Sequence, residues 1–316
     1  MTAVPILLIV VSVILQACAD GYLSGRLEFG DSLLFSCLAF VAATLLFGSL
    51  CLARRVRQGA RPARPAAQRS SVRRLIVLMN LATAVTFLGF FSALAWIPAA
   101  LATSVQSGIG PLAVVCIALI RRESAPAAGR LAGALGLLGL SVLIAVRLNP
   151  EPGALSLPMV GGTVLVAVSG ISAALLARIS RQLGAAGADP LWVTANRFHL
   201  TYLVAGALLL ARGGTGGAGG TGGADPIPLP LMALTALAAV ALPLYLLQIG
   251  LQRAEPLLAM ALLSTLPGIT YLSQTAFGGP LDPVACALIG LLVLLAAACA
   301  RQARTVVQDR RVAAPA

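Results

Sequence analysis

Runs of about twenty apolar residues follow one another along this chain, and each is long enough to cross a bilayer as one helix. On that ruler ten spans are expected, at roughly 4–23, 32–52, 75–96, 99–120, 130–148, 159–179, 191–211, 229–250, 257–278 and 284–301. Charged residues make up only 10% of the 316, against about 25% in soluble domains. Such a chain cannot cover itself with a surface compatible with water. The expected class is an all-α polytopic membrane protein. Connections as short as "IP" at 97–98 and "RAEP" at 253–256 force the helices they join to run antiparallel.

Charge then orients the spans. All 22 basic residues are arginine. With an inside N-terminus, 18 fall on the inner side, three on the outer side (Arg26, Arg147, Arg212), and Arg197 falls within a span. Basic residues concentrate in cytoplasmic loops, so this split supports an even number of spans with both termini cytoplasmic. It also explains the high pI without nucleic acid as a partner. The expected site is a bacterial cytoplasmic (inner) membrane. "LQAC" at 15–18 loosely resembles a lipoprotein cleavage site, but no basic residue precedes Arg26, so the first span is expected to be retained. The basic segment 54–74 reads as an orientation determinant and solvated linker, and "GGTGGAGGTGG" at 213–223 as a flexible outer loop. The six cysteines lie in or beside apolar runs without ligand spacing and read as small core residues.

The chain also looks repeated. Pro111, Pro126 and Gly133 recur as Pro267, Pro283 and Gly290, with Pro-to-Pro spacings of 15 and 16 and Pro-to-Gly spacings of 7 in both. Five spans separate the copies, an odd number, so the halves are inverted. Inverted repeats with interrupted helices are characteristic of secondary transporters, whose substrates bind where the halves meet.

The stretch "FFSALAWIPAALATSVQSGIGPLAVVCIALIRRESAPAAGRLAGALGLLGLSVLIAV" resembles the EamA repeat of the drug/metabolite transporter superfamily. "YLLQIGLQRAEPLLAMALLSTLPGITYLSQTAFGGPLDPVACALIGLLVLL" resembles its second copy. Glu123 sits where the first repeat's acidic residue is expected, whereas Asp282 is displaced in "GGPLDP". The resemblance implies ten transmembrane helices as two inverted five-helix repeats. Residues 1–150 would form the first, 151–304 the second, and 305–316 a cytoplasmic tail. It implies alternating-access transport of small metabolites, often export, without a cofactor. Expected partners are a small-molecule substrate and membrane lipids, with homodimerisation left open.

The sequence "LATSVQSGIGPLAVVCIALI" (101–120) places polar and helix-weakening residues within a span. Thr103, Gln106 or Ser107, and Gly110 share one helical face, as do Ser264, Gly268, Tyr271 and Thr275 in the second copy. Polar faces must avoid lipid, and Pro111 and Pro267 each free a backbone carbonyl that needs protein or a wet cavity. The two prolyl spans are therefore expected to flank a central cavity. Asn80, Thr83 and Phe87 share a face of the third span, and Tyr245 and Gln248 one of the eighth, giving further cavity candidates. Small residues such as Ser104, Ser107, Ser264 and Thr265 equally serve close helix packing. Gln106 is too large for that role alone. Trp96 reads as an interfacial anchor, and Gln16 and Gln274 as isolated polar residues.

Arg197 lies about six residues from an inner end, so its side chain is expected to snorkel to the interface. His199, the only histidine, falls on another face. No carboxylate is expected near the middle of a span, since Asp20 reads as lying near an outer end; direct proton exchange on a buried acid is then unsupported. No phosphate-binding loop, dinucleotide fingerprint or metal-ligand cluster is present in the sequence. A membrane enzyme acting on lipid head groups would need clustered acids or histidines, and a scaffold would not need two polar prolyl faces. The expectation is a transporter rather than an enzyme.

Overall fold

The computed structural model describes residues 4–24, 26, 29–58, 66–122, 128–147, 156–212, 229–279 and 281–312. Among them the secondary structure is helical throughout, with no strand. The first half holds α1 (Val4–Leu23), α2 (Phe29–Gln58), α3 (Ala66–Ala93), α4 (Ala99–Ile120) and α5 (Ala128–Arg147). The second holds α6 (Leu157–Ala185), α7 (Pro190–Asn196), α8 (His199–Ala211), α9 (Leu229–Ala236) and a π-helical segment (Leu237–Ala241). It continues with α10 (Leu242–Arg253), α11 (Pro256–Leu263), α12 (Leu266–Ala276) and α13 (Pro283–Val312).

Among the described residues, seven stretches are long and apolar enough to cross a membrane: Val4–Leu23, Phe29–Arg57, Ser70–Ala93, Ala99–Ile120, Leu157–Ala185, Pro256–Ala276 and Pro283–Gln302. The protein is an all-α multi-pass membrane protein. Helices also run beyond the apolar spans. α2 continues to Gln58 and α3 begins at Ala66, so the basic segment read as a linker is helical at both ends. α13 likewise carries the tail on to Val312 as helix. Arginine and alanine are good helix formers, and a helix leaving the bilayer exposes them to water at no cost. Glu123 and the glycine-rich 213–223 lie outside the described residues.

Helices from the two halves interleave. α1 packs on α10 and α12, α2 on α7 and α8, α3 on α6, α4 on α5, α6 and α12, and α5 on α13. Small residues set these approaches: a Cβ added at Gly250 of α10 would lie 2.5 Å from Ile9 Cγ1 of α1. The cysteines depart from expectation. All six are free thiols, with Cys18 and Cys116 exposed on the outer face of the bundle and the rest half-buried.

Three of the expected spans are interrupted, all in the second half. The run 191–211 is two helices that break at Arg197 and Phe198. The run 229–250 contains the π-helical turn, and the run 257–278 breaks at Ser264 and Thr265, just before Pro267. Pro267 cannot donate to the turn before it, which accounts for the last break. No proline or glycine marks the first, and its cause is tertiary.

Candidate functional site

The two prolyl spans meet each other. Pro111 has no N–H for the carbonyl four residues earlier, which is that of Ser107; Pro267 likewise frees the carbonyl of Leu263. The Ser264 hydroxyl is shared between Ser107 O at 3.0 Å and Met260 O of its own span at 2.9 Å, and the Ser107 hydroxyl donates to Leu263 O at 3.3 Å. Each freed carbonyl is taken by a serine of the opposite prolyl span. These carbonyls are thus satisfied within the protein and do not face the cavity described below.

Gln106, next along α4, reaches α6. Its Nε2 donates to Ser169 Oγ at 2.7 Å, and Ser169 Oγ donates to Thr86 O on α3 at 2.7 Å. Close approach makes the reach possible, since a Cβ at Gly170 would fall 2.8 Å from Gln106 O. Thr103, by contrast, turns its hydroxyl back to Ala99 O at 2.9 Å on its own helix.

Arg197 does not snorkel. It is 1% exposed, at the break between α7 and α8. Its Nη1 donates to Gln248 Oε1 of α10 at 2.8 Å, its Nε lies 3.4 Å from Thr83 Oγ1 of α3, and its guanidinium lies 5.3 Å from the Phe198 ring. The break redirects the chain so that α2, α3 and α10 close over the side chain before it can reach an interface. Asn80 holds the break open. Its Nδ2 donates to Asn196 O at 2.6 Å, and its Oδ1 accepts from Leu200 N at 3.3 Å. Asn80, Thr83 and Gln248 were legible as inward-facing polar residues; that Thr83 and Gln248 meet Arg197, and that Asn80 grips the backbone on either side of it, was not. Gln248 Oε1 also receives the Ser180 hydroxyl at 3.4 Å, while its Nε2 has no hydrogen-bond partner.

A turn further along the same faces is a cavity. Gln16, Asp20 and Leu23 of α1 line it, with Phe35 of α2, Phe87 and Phe91 of α3, Val240 of the π-helical turn and Leu244 of α10. Phe87 follows Thr83 by four residues and Leu244 precedes Gln248 by four, so the Arg197 layer lies about 6 Å below. Asp20 lies near the end of α1, as expected, but not at a surface. It is 2% exposed, and its Oδ2 has no hydrogen-bond partner. The cover comes from α12: a Cβ at Gly21 would lie 2.5 Å from Ser273 Cβ, and the Tyr22 and Phe277 rings meet edge-on at 5.2 Å. A sequence shows how far Asp20 is from the end of its helix, not what folds over that end.

The remaining candidates sit elsewhere. Tyr271 packs in a separate apolar cluster with Leu137 and Ile289, and its hydroxyl accepts from Asp282 N at 2.6 Å. The break at Ser264 ends the shared face expected with Thr275, which is half-buried. Tyr245 is half-buried against Phe47, with ring centroids 5.2 Å apart. Trp96 stacks on Phe29, Gln274 donates to Ser24, and His199 Nδ1 lies 3.0 Å from the Tyr202 hydroxyl.

One solved structure, described only as the crystal structure of a protein, superposes with a TM-score of 0.67 at 20% identity, covering 95% of this chain and 98% of that chain. A likeness at that identity shows the fold alone. No family model and no curated protein matches the chain.

Proposed function

We propose that the protein is a secondary transporter, moving small metabolites across a bacterial cytoplasmic membrane by alternating access, in the export direction. Amino acids, drugs and similar amphipathic molecules are the substrate class. The observation that carries this reading is a pair of buried ionisable side chains inside an apolar helical bundle, Asp20 lining the cavity and Arg197 in the layer beneath it. Neither belongs to an ion pair among the described residues. Ionisable groups at membrane depth are costly and are kept where substrates or ions pass.

Several features support the architecture that goes with this reading. Taking α7 with α8, α9 through α10, and α11 with α12, the helices group into ten spans. Interrupted helices at a midplane site are the form such transporters take. The reciprocal bonds of Ser107 and Ser264 are what a pseudo-twofold relation between residues 1–150 and 151–304 would produce, in keeping with the EamA-like repeats of the sequence. The 18 to 3 split of arginines favours cytoplasmic termini. No catalytic chemistry or cofactor is needed.

The decisive experiment is flux in sealed proteoliposomes against a panel of amino acids and amphipathic drugs. Saturable flux that Arg197→Met abolishes in well-folded protein is expected. Its absence for every compound, in vesicles shown to hold folded protein, would sink the transport reading.

A further inference from the structure

The Asp20 cavity lacks one thing its chemistry calls for: a positive group. Asp20 Oδ2 is buried without a hydrogen-bond donor, and an isolated ionised carboxylate in an apolar place is strongly disfavoured unless a cation or donors meet it. The chain's own cations nearby are engaged elsewhere. Arg26 lies over the Tyr22 ring at 4.4 Å, Arg212 over the Phe29 ring at 4.8 Å, and Arg197 is held by Gln248 and Thr83. Left alone the group stays neutral, and a cation that would let it ionise has to come from outside the chain.

The walls indicate what kind. Phe35, Phe87 and Phe91 form one contiguous aromatic side, with centroids 5.2 Å apart for Phe35 and Phe91 and 6.3 Å for Phe87 and Phe91. Aromatic rings attract cations and accept methylene groups. Gln16 lies one helical turn before Asp20 on the same face, so its amide oxygen can accept a second hydrogen bond. A hard metal cation needs six or more oxygens, and this cavity offers only those of Asp20 and Gln16. The enclosed space admits little more than one water-sized group, far less than a pocket that swallows a drug-sized molecule. It suits an ammonium head whose carbon chain leaves by the open side.

We propose that the Asp20 cavity binds the protonated primary amine of a substrate, with Asp20 and Gln16 accepting its N–H groups and Phe35, Phe87 and Phe91 flanking the adjoining methylenes. This deepens the transport reading and rests on it for the word substrate. The binding itself is tested without flux. Full-length protein in nanodiscs at neutral pH and constant ionic strength is titrated calorimetrically with n-butylammonium, tetramethylammonium, 1-butanol and sodium ion. Butylammonium should bind saturably and more tightly than tetramethylammonium, which lacks N–H donors, and 1-butanol and sodium should not bind. Asp20→Asn, nearly isosteric, should weaken butylammonium at least about tenfold, the worth of one charge-assisted hydrogen bond. Phe87→Leu should weaken it about threefold and guards against a folding defect in the first variant. No butylammonium binding, equal binding of 1-butanol, tighter binding of tetramethylammonium, sodium binding that depends on Asp20, or unchanged affinity in Asp20→Asn would each overturn the site. If binding fails while proteoliposomes still show flux, the amine site falls and transport stands. The converse result removes transport and leaves the amine site.

Discussion

The hydroxyl of Ser107 donates to the carbonyl of Leu263, and the hydroxyl of Ser264 donates to the carbonyl of Ser107, so each prolyl span repairs the backbone defect of the other. Without these serines two carbonyls at membrane depth would lack donors, at about 1–3 kcal/mol for each buried orphan. Ser107→Ala and Ser264→Ala should each lower stability by about 1 kcal/mol, since measured interhelical hydrogen bonds in membranes average less than their full value. Unfolding in mixed micelles measures this. Cysteine should substitute poorly, because a thiol is a weak donor.

Gln106→Leu should impair transport far more than Ser107→Ala while both variants fold. Leucine has nearly the same volume, and Ser169 keeps its own bond to Thr86 O after the Gln106 amide is lost. The stability cost should stay under about 1 kcal/mol. Uptake or efflux in proteoliposomes, normalised to monodisperse protein, decides it; unchanged kinetics would leave Gln106 a packing residue between α4 and α6.

Arg197 and Gln248 should respond unequally to truncation. Gln248→Leu leaves a buried guanidinium with only Thr83 and the Phe198 ring, so a loss of about 2–3 kcal/mol is expected. Arg197→Met removes the charge itself, and Gln248 Oε1 keeps the Ser180 hydroxyl. The smaller loss should therefore be in Arg197→Met. In the double variant the cost should fall well below that of Gln248→Leu alone, and a double-mutant cycle of unfolding free energies reads the coupling.

Orientation is open to direct labelling. With Arg64→Cys in a cysteine-free background, an impermeant maleimide should react only after cells are permeabilised if the side that carries 18 arginines is the cytoplasmic one, as we propose. Strong labelling of intact cells would reverse the topology.

Outside the spans, Arg147 donates to Asp282 Oδ2 at 2.6 Å, and that hydrogen bond holds the Asp282 carboxyl below the usual aspartate range. A depressed carboxyl pKa contributes stability that is complete above the unfolded value of about 3.9 and fades as the pH falls through the folded one. The loop before α13 should loosen only in that acidic window, and only slightly, since both groups face water. Hydrogen exchange at Val284 N–H, which donates to Asp282 Oδ1 at 3.0 Å, would report it. In Arg147→Gln the same transition should move up toward ordinary aspartate values.

The apolar runs by themselves determined the class of this protein, because a segment of about twenty such residues has one stable arrangement in lipid. The same local logic identified Asn80, Thr83 and Gln248 as facing inward, since helical spacing decides which residues share a face. It could not supply their partners. Arg197 looked free to snorkel because its distance along the chain to the interface was short, but a helix break held by Asn80 turned it into the bundle. Asp20 looked peripheral for the same reason, until α12 packed over Gly21 and closed it off. Which helix covers which end depends on contacts between residues hundreds of positions apart, such as Cys18 O with Ser273 across 255. Periodicity along one helix carries no information about those contacts. Only the packed bundle brings an aspartate, an arginine and three phenylalanine rings to one cavity and the layer beneath it.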